Sequence, residues 1–493
     1  MLQSLPMSAS QSPMAARTRR LLEAPITPTL LRLAMPNVAV MVTQAMVNTC
    51  EVYFIGWLGP DALAGVALVF PLIMLMQTMS AGGMGGGVAS AVARALGAGR
   101  RQDADALVLH ALVIAGGMGV LFTAGALWGG ATLYRTLGGT DGALAAALAY
   151  SNVVFAGALS FWLLNTLASV VRGTGNMLLP AGVVIGGAVL TLALSPALIL
   201  GWGPFPPLGI AGGGIALVTY YSLGSLVLLG YLCSGRSLAR LTVGGVRFRR
   251  TLFWEILRVG APGSLNTVFT NLNVALLTGL VGPFGTLALA GYGLGARLEY
   301  LQIPLVFGFG SALVPMVGTN IGAGHIARAR RVAWIGAGLA AAVTGSIGVF
   351  GACFPRLWLG LFSTNPEVVA TGATYLSIVG PTYGFFGLGL AFYFASQGAG
   401  RLLWPLLAGG ARLVIAAGGG WVASHWFEGR HSSPLRRHCC GFYGLWDHGS
   451  RGHEARCLAL YRALTRDTKA IHARSGGTPY LKGHVSMSYR DDR

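Results

Sequence analysis

The sequence predicts an all-α integral membrane protein built from two parallel bundles of about six helices each. First, only 10% of the 493 residues are charged and 54% are hydrophobic, whereas soluble domains contain about 25% charged residues. Second, eleven apolar runs are long enough to cross the roughly 30 Å hydrocarbon core. Third, segments of the first half recur in the second half at an almost constant offset of 225 to 226 residues.

The eleven spans follow from hydropathy, because about 20 helical residues cross a bilayer. Pro and Gly do not exclude a membrane helix, where they are more frequent than in soluble helices. The spans are predicted at residues 33–58, 62–92, 107–133, 144–171, 178–200, 209–233, 256–282, 285–313, 331–354, 369–396 and 402–427.

The formal net charge of +19 comes mostly from arginine, a balance that often indicates a nucleic-acid partner. Here the arginines gather in alternate connecting segments, while residues 201–209 and 282–285 contain none. Loops rich in Lys and Arg face the cytoplasm, so the N-terminus and the Arg-rich loops are expected there. We therefore expect membrane lipid and no nucleic acid as partners, and a bacterial inner (plasma) membrane location.

The internal repeat is an ordered series of matches. An even number of spans separates the copies, so both halves enter the membrane in the same direction, as in alternating-access transporters that bind their substrate between two bundles. The matched pairs include Arg32 with Arg258, Pro36 with Pro262, Gly97 with Gly322, Tyr150 with Tyr375, Gly173 with Gly398 and Pro180 with Pro405.

The repeat also predicts the domain boundaries. They are a cytoplasmic N-terminal segment at 1–32, a six-helix lobe at 33–233, a basic cytoplasmic linker at 234–255, a second lobe with five readable spans at 256–427, and a polar tail at 428–493. The tail stands where a twelfth span is expected, and we interpret it as an out-of-frame translation of that helix. A metal site formed by its His and Cys residues is the alternative, but their spacing matches no regular CxxC or HxxxH pair.

Two carboxylates lie inside predicted spans, Glu51 and Glu299. Intramembrane acids are costly and usually mark ion or substrate pathways. The repeat places Leu277 opposite Glu51 and Ile73 opposite Glu299, so duplicated packing does not require either acid. The alternatives are a solvated carboxylate near the headgroups for Glu51 and a structural ion pair for Glu299.

These acids predict how coupling works. Desolvation favours the neutral form of a buried carboxylate, so a proton and a cationic substrate compete for one negative charge. Glu51 is the leading coupling residue, for H⁺ or Na⁺, and Glu299, which with Arg297 forms a second polar cluster, is the second coupling candidate. Candidate substrate-lining residues are Gln44, Asn48, Asn271, Asn273, Tyr292, Arg297 and Tyr300. No metal ligands or other cofactors are expected.

The glycine-rich run at 82–87 lies inside an apolar span and lacks a following GK[ST]. It therefore predicts a bend or a close helix contact rather than a phosphate-binding loop.

Several of these features together resemble the MATE (multidrug and toxic compound extrusion) family over about residues 25 to 427. They are the Pro36 helix with Gln44 and Glu51, the IGWLG segment at 55–59, the two GAG turns and the VRGTGN run at 171–176. The resemblance implies a twelve-helix, monomeric, cation-coupled antiporter that exports small organic, often cationic, molecules. Glu51 occupies the place of an acid that the family carries in its first helix.

The chain also departs from one branch of that family, which has further acids in helices seven and ten. Asn271 stands at the helix-seven position, and the tenth span has no acid between Thr371 and Ser396. Asparagine ligates a sodium ion through its carbonyl oxygen but cannot exchange a proton. That branch's second ion site is therefore not expected here in the same form.

Three alternatives remain open from the sequence. A lipid or lipid-precursor flippase would line its cleft with several cations, and only Arg297 and Arg412 qualify. A membrane-embedded enzyme would need a catalytic constellation, and none stands out. An inactive, truncated transporter is the third, because of the tail.

Overall fold

The computed structural model describes residues 13–242, 248–281 and 285–426. Every regular element in these residues is a helix, and none is a strand. The predicted out-of-frame tail at 428–493, with its alternative metal site, lies outside the described residues. The helices are α1 (Pro13–Glu23), α2 (Ile26–Gly56), α3 (Pro60–Thr78), a π-helical turn (Met79–Met84), α4 (Gly85–Gly97), α5 (Arg101–Thr136), α6 (Asp141–Ala156), α7 (Ala158–Gly173), α8 (Leu178–Leu200), α9 (Ile210–Cys233), α10 (Arg250–Val281), α11 (Thr286–Gly322), α12 (Ile326–Cys353), α13 (Pro355–Leu359), α14 (Pro366–Val379), a short 3₁₀ turn (Gly380–Thr382), α15 (Tyr383–Ala399) and α16 (Leu403–Trp426).

A helix occupies each of the eleven predicted spans. Among the described residues, eight continuous helical segments are long and apolar enough to cross a membrane. The predicted fourth span is broken into α6 and α7, which meet at 49° around Gly157, where an added Cβ would lie 2.4 Å from the Val218 side chain. The other two positions hold α10 and α16, and Leu403–Gly419 of α16 is an apolar helical segment shorter than a full span.

Several helices extend beyond the apolar runs that predicted them. α5 and α10 each start six residues earlier than their predicted spans, at Arg101 and Arg250, and α11 continues to Gly322. All three extensions lie at the end of the bundle where the Arg-rich segments gather, which we call the basic end. Hydropathy detects the part of a helix that lies in hydrocarbon, whereas the hydrogen-bonded helix continues into the polar interface.

We call α2–α9 the N-terminal lobe and α10–α16 the C-terminal lobe; the first helix of each packs into a core of the other. Leu30 and Ala34 of α2 pack in one core with Val306 and Leu313 of α11. In the same way, α10 contributes its first turns to the core of the N-terminal lobe, through Leu252 and Ile256. This exchange ties the lobes together at the basic end.

Glycines allow the lobes to approach backbone to backbone at the basic end. A Cβ added to Gly83 would lie 2.6 Å from the Ser264 nitrogen, and one added to Gly87 would lie 2.7 Å from the Gly260 nitrogen. The close helix contact expected of the glycine-rich run is therefore confirmed, and Gly82 to Met84 lie within the π-helical turn.

Hydrogen bonds close the same interface. The Ser90 hydroxyl donates to the carbonyl oxygens of Gln397 and, at 3.1 Å, of Gly398. The Gln397 amide nitrogen donates to the Gly82 carbonyl oxygen at 2.9 Å. Arg94 donates to Ser90 and, at 3.3 Å, to the Glu255 carbonyl oxygen. Because these groups are buried and belong to both lobes, the basic end is closed.

Candidate functional site

A cavity inside the N-terminal lobe brings Gln44, Asn48 and Glu51 together, with a volume of about 80 Å³. These three residues are spaced by four and three positions on α2, a spacing that places them on one helix face. The remaining polar and aromatic lining comes from other helices of the same lobe, namely Phe70, Gln77, Tyr150, Phe161, Thr191, Tyr220 and Tyr221.

Glu51 lies against the inner wall of this cavity and is 9% exposed. Its Oε1 atom accepts a hydrogen bond from the Tyr150 hydroxyl of α6 at 3.0 Å. On the opposite side, a Cβ built on Gly213 of α9 would lie 3.3 Å from the same oxygen. Glycine at position 213 therefore leaves room for the carboxylate, and the tyrosine orients it.

The cavity has an uncompensated acid. No Lys, Arg or His is among its lining residues, and no basic nitrogen of the described residues lies within 4.0 Å of the Glu51 carboxylate. Stacked rings of Phe161 and Tyr221, with centroids 3.9 Å apart, form part of the wall. A carboxylate beside aromatic faces is suited to bind a cation, because both attract positive charge.

The C-terminal lobe contains a second pair of acid and tyrosine. Glu299 of α11 accepts a hydrogen bond from the Tyr375 hydroxyl of α14 at 3.3 Å, and the Tyr292 ring packs edge-on against Tyr375 at 5.4 Å. Tyr375 is the repeat counterpart of Tyr150. The duplicated tyrosine thus meets the acid of each lobe, although the two acids lie on helices that are not repeat counterparts.

Arg297 and Glu299, which the sequence groups as a second polar cluster, form no ion pair among the described residues. Arg297 is exposed and its guanidinium lies 5.5 Å from the centroid of the Phe362 ring. Residues two apart on a helix point about 200° apart, which explains the separation. The cation that acts electrostatically on Glu299 is instead Arg412 of α16.

The other predicted lining residues lie in the C-terminal lobe, outside the cavity that holds Glu51. Asn271 is exposed and its amide donates to the Thr267 carbonyl oxygen at 2.9 Å, whereas Asn273 is buried. Tyr300 is 45% exposed on α11. Their part in substrate binding, together with that of Tyr292, stays a prediction.

Sequence reasoning missed the residues that complete the site around Glu51, above all Tyr150, Gln77 and Thr191. One signal was present, since Tyr150 and Tyr375 are identical at the repeat offset. A polar residue kept in both halves of a duplicated membrane protein points to a position near the duplicated site. Nothing in the sequence distinguishes Gln77 or Thr191 from other polar residues in spans.

Comparison with known proteins gives two family matches, whose first residues are separated by the offset of the internal repeat. The model of the MatE family matches residues 36–197 and again 262–422, which together make up more than half of the chain. The two matched segments begin at Pro36 and Pro262, the paired prolines of α2 and α10.

Individual relatives agree with this assignment. The chain is 29% identical over 405 residues to a FAD transporter of Shewanella oneidensis, covering 80% of this chain and 87% of that protein. It is 30% identical over 379 residues to a probable multidrug resistance protein NorM of Deinococcus radiodurans, covering 71% and 77%. The crystal structure of MATE in complex with MaD3S has the same fold, with a TM-score of 0.81, 24% identity and coverage of 91% and 98%.

The family match, these relatives and the shared helical fold lead to one conclusion. The chain belongs to the MATE family, whose members are membrane transporters and not enzymes.

Proposed function

We propose that this protein is a cation-coupled antiporter that exports organic cations by alternating access, with Glu51 as the coupling residue. The observation that carries the proposal is the buried Glu51 carboxylate, which faces a cavity with no basic side chain among the described residues. A buried charge without an opposite charge beside it is strongly unfavourable. Binding of a proton, a sodium ion or an organic cation removes that cost.

Competition for Glu51 is sufficient for exchange. When a coupling ion neutralises the carboxylate, an organic cation loses its binding partner and leaves; when the ion departs, the carboxylate binds the next organic cation. The two occupants then cross the membrane in opposite directions, provided that the cavity opens to each side in turn.

The closed basic end is assigned to the cytoplasm by the positive-inside rule. In that assignment, the contacts of Ser90 with Gln397 and of Arg94 with Glu255 form the inner gate. Export requires that these contacts break when the protein takes up substrate from the cytoplasm.

A second substrate class is suggested by the relative named a FAD transporter. FAD carries two phosphate groups, and phosphate recognition normally uses Arg or Lys. Because no basic residue lines the Glu51 cavity, the site favours a cation over a dinucleotide. A lipid-precursor flippase would need several cations in its cleft; of the two candidates, Arg297 packs on Phe362, which leaves Arg412 alone.

Dye efflux tests the proposed function. We expect purified protein in phosphatidylcholine vesicles to move ethidium, a permanent cation, against its concentration gradient when a proton or a sodium gradient is imposed. Each gradient is applied alone, with equal buffer and salt elsewhere, so that the effective one identifies the coupling ion. Movement that follows the dye gradient alone, unaffected by either ion gradient, contradicts antiport.

Tyr150→Phe should weaken export without unfolding the protein. The Tyr150 hydroxyl donates to Glu51, and hydrogen bonds to charged groups contribute about 1.5–3 kcal/mol. Without that donor, the charged form of the Glu51 carboxyl group becomes less stable relative to the neutral form. Glu51 then holds its proton more tightly, and an organic cation must compete with that proton. We expect the ethidium concentration for half-maximal efflux at neutral pH to rise about tenfold and to recover at alkaline pH.

Tyr375→Phe is the matched control for Tyr150→Phe, because it removes the repeat counterpart, which bonds Glu299 instead. It should leave the half-maximal ethidium concentration within about twofold of that of the unmodified protein. Equal effects of the two substitutions would argue against a special role for the tyrosine beside Glu51.

A further inference from the structure

One arginine lies inside the C-terminal lobe with an unused hydrogen-bond donor. Arg412 belongs to α16, and its Nη2 atom lies 3.4 Å from the Thr270 hydroxyl of α10. Its Nε atom is buried and has no hydrogen-bond partner among the described residues. A guanidinium has five N–H donors and no acceptor, and at Nε at least one donor is left unsatisfied by the described residues.

The nearest acid does not satisfy Arg412. Glu299 acts on the arginine electrostatically, but its carboxylate is bonded by the Tyr375 hydroxyl. Within the described part of the chain, no carboxylate oxygen lies within 4.0 Å of the guanidinium. The charge is therefore compensated at a distance, while the Nε–H donor at the edge of the guanidinium is left for another anion.

The internal repeat relates Arg412 to the wall of the Glu51 cavity. Thr270, the residue that Arg412 contacts, corresponds to Gln44 at the offset of 226, and Gln44 lines that cavity. Arg412 therefore contacts the C-terminal lobe's counterpart of this wall. The two lobes carry opposite charges there: a carboxylate without a basic neighbour in one, and a guanidinium without a bonded acid in the other.

We propose that Arg412 is an anion subsite that binds a carboxylate group of the transported molecule. The planar guanidinium pairs with a carboxylate through two parallel hydrogen bonds, and the unpartnered Nε–H of Arg412 supplies one of them. The inference rests on the proposed function and extends its substrate class from simple cations to amphoteric molecules that carry both a cationic and a carboxylate group.

Equilibrium binding of a matched pair of dyes tests this subsite. Rhodamine 110 carries a free carboxylate, and rhodamine 123 is its methyl ester, so the two differ in the anionic group alone. Fluorescence titration of the purified protein measures both dissociation constants. We expect Arg412→Gln to raise the constant for rhodamine 110 about tenfold or more and that for rhodamine 123 less than about twofold. Arg412→Lys should give an intermediate loss, since lysine keeps the charge without the planar fork.

Arg356→Gln is the matched control, because it removes an exposed arginine of α13 in the C-terminal lobe to which no binding role is assigned. It should change neither constant. An equal loss of affinity for both dyes in Arg412→Gln, or no loss of affinity for either dye, would overturn the subsite proposal. Retained rhodamine 123 binding shows that the variant is folded, and if Arg412→Gln does not fold, the Arg412→Lys comparison decides.

The same dyes separate this inference from the proposed function. If rhodamine 123 binds but no ion gradient drives its transport, the antiport proposal fails while the selectivity of Arg412→Gln still decides the subsite. If an ion gradient drives transport of rhodamine 123 and Arg412→Gln changes the dissociation constants of both dyes by the same factor, the subsite proposal is wrong and the antiport proposal stands.

Discussion

Glu51→Gln should abolish ion-driven export of organic cations. Glutamine has nearly the same shape as glutamate and accepts the Tyr150 hydroxyl bond through its amide oxygen, but it carries no charge and binds no exchangeable proton. A buried charge pair that loses one member costs about 3–5 kcal/mol. We therefore expect ethidium efflux under an ion gradient to fall at least about a hundredfold, to the level of empty vesicles.

The control for this substitution is Glu299→Gln, which neutralises the acid of the other lobe. If Glu51 is the coupling residue, Glu299→Gln retains gradient-driven ethidium efflux while Glu51→Gln does not. Undiminished efflux by Glu51→Gln, with loss in Glu299→Gln, would move the coupling site to the C-terminal lobe. A thermal unfolding midpoint measured for both variants separates loss of function from loss of fold.

Gly97→Val should prevent closure of the basic end and so stop the transport cycle. An added Cβ at Gly97 would lie 2.1 Å from the Thr319 carbonyl oxygen of α11, and one at its repeat counterpart Gly322 would lie 2.1 Å from the Arg94 carbonyl oxygen of α4. The two duplicated glycines therefore fit against each other's helices across the lobe interface. Backbone atoms cannot move aside as a side chain can, and overpacking costs about 1–3 kcal/mol or more.

The measurement for Gly97→Val combines export with chemical labelling. Ala93 is fully buried beside this contact, so a cysteine placed there, in a protein whose native cysteines are replaced by serine, reports opening. We expect a membrane-impermeant maleimide to label Ala93→Cys in the Gly97→Val protein at least about tenfold faster, and ethidium efflux to fall by a similar factor.

Gly116→Val is the matched control for the glycine, because Gly116 is a helical glycine of α5 with nothing within 4 Å of an added Cβ. It should leave both labelling and efflux unchanged. Slow labelling and full efflux in Gly97→Val would show that the lobes do not need this close approach.

The membrane helices could be predicted from the sequence because transfer of apolar residues into hydrocarbon is a local and roughly additive property. Each apolar run of suitable length therefore predicts one helix. The observed α8 (Leu178–Leu200), for example, has the predicted bounds. The ends at the basic side were predicted less well. There α5 and α11 continue through polar residues, which hydropathy does not register as part of a span.

Half of the candidate site was also accessible from the sequence. Glu51 was identified by its cost in hydrocarbon, and Gln44 and Asn48 by their place on the same helix; all three line one cavity. Tyr150 was visible as a repeated residue, but its bond to Glu51 spans 99 positions of the chain. Which distant helix supplies the partner depends on helix rotation and packing, and no local pattern encodes that.

The polar residues of the C-terminal lobe also show that contacts between distant helices do not follow from the sequence. The sequence grouped Arg297 with Glu299 as a polar cluster, although residues two apart do not share a helix face. In the structure, Arg412 acts electrostatically on Glu299 and Arg297 lies on Phe362. Proximity along a helix says which face a residue occupies, and the neighbouring helices decide what that face meets.

From the sequence alone we could predict a membrane protein with a parallel duplication and an energetically costly acid in its first helix. Hydrophobic burial and the free-energy cost of an intramembrane charge are properties of single segments. Only the tertiary structure shows that Tyr150 and Tyr375 each donate a hydrogen bond to an acid. It also shows that the duplicated glycines pack against each other's helices across the lobe interface, and that the Arg412 Nε has no partner among the described residues. These features depend on how separate helices pack, and packing is a property of the whole fold.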